Sequence, residues 1–154
     1  MQNKDISMEF IYDKSLNYNA VFDQERIAQV IRNILSNAIK FTSKGKIIIN
    51  LIPIKLKKEN GNKVQAFQVS ISDEGIGIPE DELDYIFDKF NQSAKTKTGA
   101  GGTGLGLTIS QEIIKAHNGS IWAANKPDNN GSVFTFIIPA NQQKSKVRGL
   151  RIIS

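Results

Sequence analysis

Gly99-Ala100-Gly101-Gly102-Thr103-Gly104-Leu105-Gly106 places five glycines in eight residues. An apolar helical pattern of Leu105, Ile109, Ile113 and Ile114 follows at once. Glycine this dense costs conformational entropy, which makes sense where backbone N–H groups must approach a phosphate closely. The known phosphate loops of similar composition do not fit. Gly99-x-Gly101-x-x-Gly104 has the dinucleotide spacing, but a polar stretch precedes it where that fingerprint needs a strand. A P-loop requires Lys-Ser/Thr after its last glycine, and here Leu105-Gly106 follows. A eukaryotic-type protein kinase would carry its glycine loop near the start, with His-Arg-Asp and Asp-Phe-Gly segments later, and neither segment occurs. A plain flexible linker is at odds with the apolar helix that begins immediately.

On either side of this stretch the chain alternates strand and helix patterns. Residues 7 to 22 alternate weakly (Met8, Phe10, Tyr12, then Tyr18, Ala20, Phe22) and read as one or two short strands. Asp23 is a good N-cap, and Ile27, Val30, Ile31, Ile34, Leu35 and Ala38 form the stripe of a helix running from Gln24 to near Thr42. Ile47 to Leu56 and Val64 to Ile71 read as a hairpin broken at Asn60-Gly61. Pro79 can open a short helix from Glu80 to about Phe87. Asn91 to Thr103 has no period and reads as a mobile loop. Gly104 to Ala116 reads as a second long helix. Ser120–Asn125 and Ser132–Ile138 read as strands joined by the turn Pro127-Asp-Asn-Asn-Gly131. Residues 140 to 154 read as a flexible basic tail after one domain over 1–139. This order predicts an α+β two-layer sandwich: a mixed, mostly antiparallel sheet with helices on one face.

Composition narrows the chemistry. A chain of 154 residues with 40% hydrophobic and 23% charged residues is large enough for a single core. It has no cysteine, which removes disulfides and thiolate chemistry, and one histidine, His117, which excludes multi-imidazole zinc sites. The net charge of +5 comes from scattered lysines, grouped only at Lys55, Lys57 and Lys58 and in the tail at Lys144, Lys146, Arg148 and Arg151. Such groups read as solvated faces, so nucleic-acid binding is not expected. No apolar run approaches the ~20 residues of a membrane span, and Met1-Gln-Asn-Lys-Asp5 is not a signal peptide. A cytosolic, monomeric domain is expected, of a parent that can itself be membrane-anchored. Asn91-Gln-Ser93, Asn118-Gly-Ser120 and Asn130-Gly-Ser132 match the glycosylation pattern but read as loop and turn residues.

Two further clusters accompany the glycines. Asn33 and Asn37 stand at i and i+4 with Lys40 three residues on, so all three share a strip beside the apolar stripe. Amide oxygens suit a hard cation, and an ammonium suits a phosphate. Such a strip by itself is also ordinary polar surface. Asp73-Glu-Gly75-Ile-Gly77 puts a carboxylate at a strand end, where it can accept a hydrogen bond from an adenine amino group. Alone, this pentapeptide reads as a β-turn.

Together these segments resemble the boxes of sensor histidine kinases. Asn33-Ile-Leu-Ser-Asn37-Ala-Ile-Lys40-Phe-Thr42 resembles the N box and Asp73-x-Gly75-x-Gly77 the G1 box. Ile86-Phe87-Asp-Lys-Phe90 resembles the F box, Gly102-Thr-Gly104-Leu-Gly106-Leu107 the G2 box, and Gly131-Ser-Val-Phe134-Thr-Phe136 the final glycine box. The boxes occur in the family's order over about residues 7 to 139. The resemblance implies the Bergerat ATP-binding sandwich, shared with gyrase-type, chaperone and mismatch-repair ATPases and anti-sigma serine kinases, and ATP and Mg²⁺ as cofactors. Carried onto this chain, Asn37 would bind Mg²⁺ with Asn33 in support, Lys40 would meet a phosphate, and Phe41 would line the adenine pocket. Asp73 would read the adenine amino group, with Gly75, Gly77 and Ile78 shaping the pocket. Gly102, Thr103, Gly104, Leu105 and Gly106 would cradle the phosphates. Lys97, in the ATP lid, would touch the γ-phosphate, with Lys95 as its competitor.

The superfamily also hydrolyses ATP and phosphorylates serine, and fold alone does not decide between these reactions. Water and serine hydroxyls favour a nearby base, which the hydrolysing relatives carry as a glutamate one turn before the magnesium asparagine. That position here is Asn33. A neutral imidazole needs no deprotonation, so a base-free site suits a histidine acceptor. His117 lies at a helix end outside any acceptor-like sequence, where a partial positive charge is favourable, and is not expected to be phosphorylated. The expected partners are a histidine-bearing dimerisation domain and, downstream, a response regulator. A Bergerat-type ATPase module and a non-catalytic nucleotide-binding interaction domain are the alternatives.

Overall fold

The computed structural model describes residues 4–88, 105–128 and 130–141. Strand β1 (Asp5–Ile11) leads through helix α1 (Gln24–Phe41) to β2 (Lys44–Lys57) and β3 (Lys63–Ser72). A 3-10 turn (Glu80–Glu82) follows, then helix α2 (Leu105–Ala116), β4 (Ser120–Asn125) and β5 (Ser132–Pro139). The strands form one sheet in the order β1-β2-β3-β5-β4. The β1–β2 pair is parallel, joined through α1, and the other three pairs are antiparallel. The expected mixed, mostly antiparallel sandwich is the fold observed.

Register decides which side chains the helices cover. Residues opposite one another on antiparallel strands share a face. Leu51, Val69, Phe136 and Ile121 therefore make one row across the sheet, and Ile49, Ile71, Phe134 and Ala123 the next. Onto these rows α1 lays Ile27, Val30, Ile34 and Ala38, spaced three, four and four apart, and α2 lays Ile113 and Ile114. Each fully buried aliphatic side chain here stabilises the fold by about 1.5–3 kcal/mol relative to exposure. On the opposite face Trp122 and Ile52 remain exposed.

Capping explains the span of α1. The Asp23 carboxylate accepts from Arg26 N at 3.1 Å, and Thr42 ends the helix in an extended conformation. The carbonyls of its last turn all have partners: Thr42 N donates to Ala38, Lys4 Nζ to Ile39 and Lys40, and Ile76 N to Phe41.

Two expected elements differ from those observed. Only Asp5–Ile11 of the first segment is a strand. Beyond it local side-chain bonds take over: Asp13 Oδ1 accepts from the amide and hydroxyl of Ser15, and the Tyr18 hydroxyl donates to Asp13 O. The segment then returns to the body through Val21 N, which donates to Ala140 O at 2.7 Å. The expected helix from Glu80 to Phe87 is instead a 3-10 turn and further i→i+3 turns, with Glu82, Tyr85 and Asp88 donating three residues back. Glu80 and Asp84 would stand at i and i+4 in an α-helix, where like charges repel. No helix among the described residues is long and apolar enough to cross a membrane.

Candidate functional site

The strip on α1 is present, with Asn33, Asn37 and Lys40 half-buried along one side. Its members are engaged differently. Asn33 Nδ2 donates to Gly106 O at 3.1 Å and to Ser110 Oγ at 3.2 Å, and the Ser110 hydroxyl donates back to Gly106 O at 2.8 Å. This closed triangle ties the middle of α1 to the first turn of α2, which carries the end of the glycine-rich segment. Asn37 makes no side-chain hydrogen bond among the described residues, so its amide oxygen is open to a ligand. The Lys40 ammonium stands 5.7 Å from the centroid of the Phe41 ring.

At the end of α1 the chain meets the Asp73 loop. Ile76 N donates to Phe41 O at 3.3 Å. A Cβ on Gly75 would lie 2.5 Å from Phe41 O, so a side chain there would push the loop off the helix. Asp73 is 5% exposed, and three donors hold its carboxylate. Gly75 N and Ser132 N donate to Oδ1 at 2.9 and 3.2 Å, and the Ser132 hydroxyl donates to Oδ2 at 2.9 Å. These bonds offset the cost of burying a charge. Oδ2, with one donor, keeps a lone pair for a ligand N–H. Gly77 turns at φ 73°, and Ile78 behind it packs against the core.

Three groups thus converge: the asparagine strip, the Asp73 loop at the strip's C-terminal end, and the start of α2 beside Asn33. Lys95, Lys97, Gly102, Thr103, Gly104 and the expected lid lie outside the described residues, as do Phe90 of the F box and residues 142–154. Leu105 is described only as the first residue of α2. Sequence reasoning missed the grips of Ser132 on Asp73 and of Asn125 on Ile78, whose backbone N–H and C=O both bond its amide. Ser132 carried a faint signal as the hydroxyl residue after Gly131, whereas nothing in the local pattern marks Asn125.

His117 stands at the end of α2, as expected, but its ring is 1% exposed and connects two helices. Nε2 accepts from Asp23 N at 3.1 Å, which requires it to be unprotonated, so Nδ1 carries the hydrogen and donates to Ile113 O at 2.8 Å. The ring joins the start of α1 to the end of α2, and with both nitrogens engaged it offers none to phosphorus.

A magnesium ion was expected at Asn37. Among the described residues no group of three or more His, Cys, Asp or Glu could cage a metal. One open amide oxygen on a half-buried side chain fits a cation that keeps its waters and takes further oxygens from nucleotide phosphates, as Mg²⁺ does.

Residues 22–142 match the family model described as histidine kinase-, DNA gyrase B-, and HSP90-like ATPase. The chain is 37% identical over 123 residues to the sensor histidine kinase WalK of Bacillus subtilis, covering 79% of this chain and 19% of that protein. It is 40% identical over 117 residues to the adaptive-response sensory kinase SasA of a Synechococcus strain, covering 76% of this chain and 28% of that protein. Among solved structures, the catalytic domain of histidine kinase ThkA superposes with a TM-score of 0.66 at 37% identity, covering 89% of this chain and 79% of that one. The chain therefore spans about a fifth to just over a quarter of the length of these curated relatives. Sequence, sheet order and the convergence of three motif segments agree: the chain belongs to the histidine kinase-, DNA gyrase B- and HSP90-like ATPase family, and within it is homologous to the catalytic domains of sensor histidine kinases.

Proposed function

We propose that this chain binds Mg-ATP and transfers its γ-phosphoryl group to a histidine on a separate dimerisation domain, feeding a response regulator in two-component signalling. In this reading Asp73 accepts from the adenine amino group, and Phe41, Gly75, Gly77 and Ile78 bound the base. Asn37 and Lys40 face the phosphates, with Gly102, Thr103, Gly104, Leu105 and Gly106 supplying backbone donors and Lys97 reaching the γ-phosphate. A magnesium ion at Asn37 would neutralise charge on the phosphate oxygens.

The observation that carries the reading is the engagement of Asn33. Its Nδ2 donates to a carbonyl and a hydroxyl on α2, a role that an acceptor-only carboxylate cannot take. The hydrolysing relatives, by resemblance, place their glutamate base at this position. Here such a glutamate would set its oxygens against Gly106 O. The site thus holds a donor where water attack needs a base, which favours an acceptor nucleophilic without deprotonation. His117, buried and doubly bonded, is not that acceptor.

The test is to mix the chain with a separately purified histidine-bearing dimerisation domain and γ-labelled ATP. Label is expected on the added histidine, with little phosphate released by the chain alone. Steady ATP turnover by the isolated chain would establish the hydrolase instead, and no adenine-nucleotide binding by calorimetry would establish an interaction domain.

A further inference from the structure

We propose that Asn125 is a positioning residue for recognition of the nucleotide base, holding the loop from Asp73 to Ile78 in the conformation that presents the Asp73 carboxylate. This rests on the nucleotide reading of that loop. Asn125 Oδ1 accepts from Ile78 N at 2.7 Å, and Asn125 Nδ2 donates to Ile78 O at 2.5 Å. One carboxamide thereby satisfies both backbone polar groups of one residue, as a neighbouring strand would. Among side chains only Asn and Gln carry a donor and an acceptor in that fork. The fit is close, since a Cβ on Gly77 would lie 3.1 Å from Asn125 Oδ1.

The position of Asn125 gives the clamp its meaning. It is the last residue of β4 and pairs in register with Ser132, the first residue of β5. Ser132 grips the front of the same loop through the Asp73 carboxylate and backbone. Lys126 N donates to Gly131 O at 3.0 Å and closes the turn between the two strands. The paired ends of β4 and β5 therefore fix both ends of the loop, and Phe41 O holds its middle through Ile76 N. Releasing the Ile78 end leaves the loop held at Asp73 by Ser132 and at its middle by Phe41 O, so Gly75, whose N–H fixes Asp73 Oδ1, gains freedom without the sheet breaking. The angle of the carboxylate to the base then varies, while the phosphate-facing strip on α1 is unaffected.

That division of labour sets the experiment. Calorimetry of the chain with Mg-ATP, Mg-GTP and Mg-tripolyphosphate separates base recognition from phosphate binding. Asn125→Ala is expected to weaken ATP about tenfold, the equivalent of ~1.4 kcal/mol, to narrow the ATP-to-GTP preference, and to leave tripolyphosphate unchanged. Asn125→Asp keeps the size and the acceptor but loses the donor, so it is expected to do the same if the alanine variant folds poorly. In Asn125→Ala, which also loses the acceptor, the Ile78 amide should lose protection from hydrogen exchange while the Phe136 amide keeps it. Equal weakening of ATP and tripolyphosphate would reduce Asn125 to a general structural role and overturn the proposal. So would unchanged ATP affinity in both variants. A wild-type chain that binds tripolyphosphate and ATP equally would instead sink the base-reading role of Asp73, an outcome visible before any variant is made.

Discussion

Asp73, Thr42 and His117 are all buried polar residues, and they differ in what satisfies them. Removing the Asp73 carboxylate strands its three internal donors, so Asp73→Ala should lose stability and, in the folded protein, ten- to hundredfold in ATP affinity, about 1.5–3 kcal/mol for hydrogen bonds to a charged group. GTP binding should change far less, and competition calorimetry reads the difference. Thr42 is fully buried, and its hydroxyl has no hydrogen-bond partner among the described residues. Exchanging that hydroxyl for a methyl removes a desolvation penalty, so Thr42→Val should raise stability to urea by about 1 kcal/mol. His117→Phe keeps the bulk of the ring but strands Asp23 N and Ile113 O. It should cost about 1–3 kcal/mol of stability. Transfer to an added histidine domain, measured well below the unfolding temperature with saturating ATP, should continue.

At the level of elements, legibility followed how local the cause was. Helix α1 was readable because its N-cap and its buried positions at Ile27, Val30, Ile34 and Ala38 lie within one continuous stretch. Ile34→Ala should cost about 2–5 kcal/mol in a denaturant titration, the range for a fully buried aliphatic truncation. The segment after β1 was misread because weak alternation at Tyr18, Ala20 and Phe22 mimics a strand, while the short side chains of Asp13 and Asn17 supply rival backbone partners. The turns from Glu80 to Asp88 were misread because a proline start and helix-forming residues outweighed the crowding of carboxylates. The candidate site divides in the same way. Asn33, Asn37 and Asp73 were legible as residue types at telling spacings. The grip of Ser132 on Asp73 joins residues 59 apart and that of Asn125 on Ile78 residues 47 apart; the β3–β5 pairing brings the first pair together, and the β4–β5 pairing sets Asn125 beside it. The sequence suggested that Asn33 is polar and near a cation, but not that its amide would point to α2, because that depends on how the two helices pack.

Across the whole molecule, the proposed ligand would bridge parts that lie on separate elements. Asn37 lies on α1, Asp73 at the end of β3, and Gly106 in the first turn of α2. The Asn33–Gly106–Ser110 triangle and the Phe41–Ile76 bond are polar links between these parts near the site. A ligand that touches all three should therefore stabilise the native chain by mass action, by about 2.7 kcal/mol at a hundredfold excess over its dissociation constant. For a domain of this size that corresponds to a rise of about 5–10 °C in Tm. If the cation acts through Asn37, much of the rise should vanish when EDTA replaces Mg²⁺, and Asn37→Ala with Mg²⁺ should match the wild type without it. Asp73→Ala should instead lower the shift with or without Mg²⁺, because it acts on the base and not on the phosphates. Thermal scans of the three proteins with and without chelator make this a double-mutant cycle between cation and residue. Equal magnesium dependence in wild type and Asn37→Ala would remove Asn37 from the metal site while leaving the base-reading role of Asp73 standing.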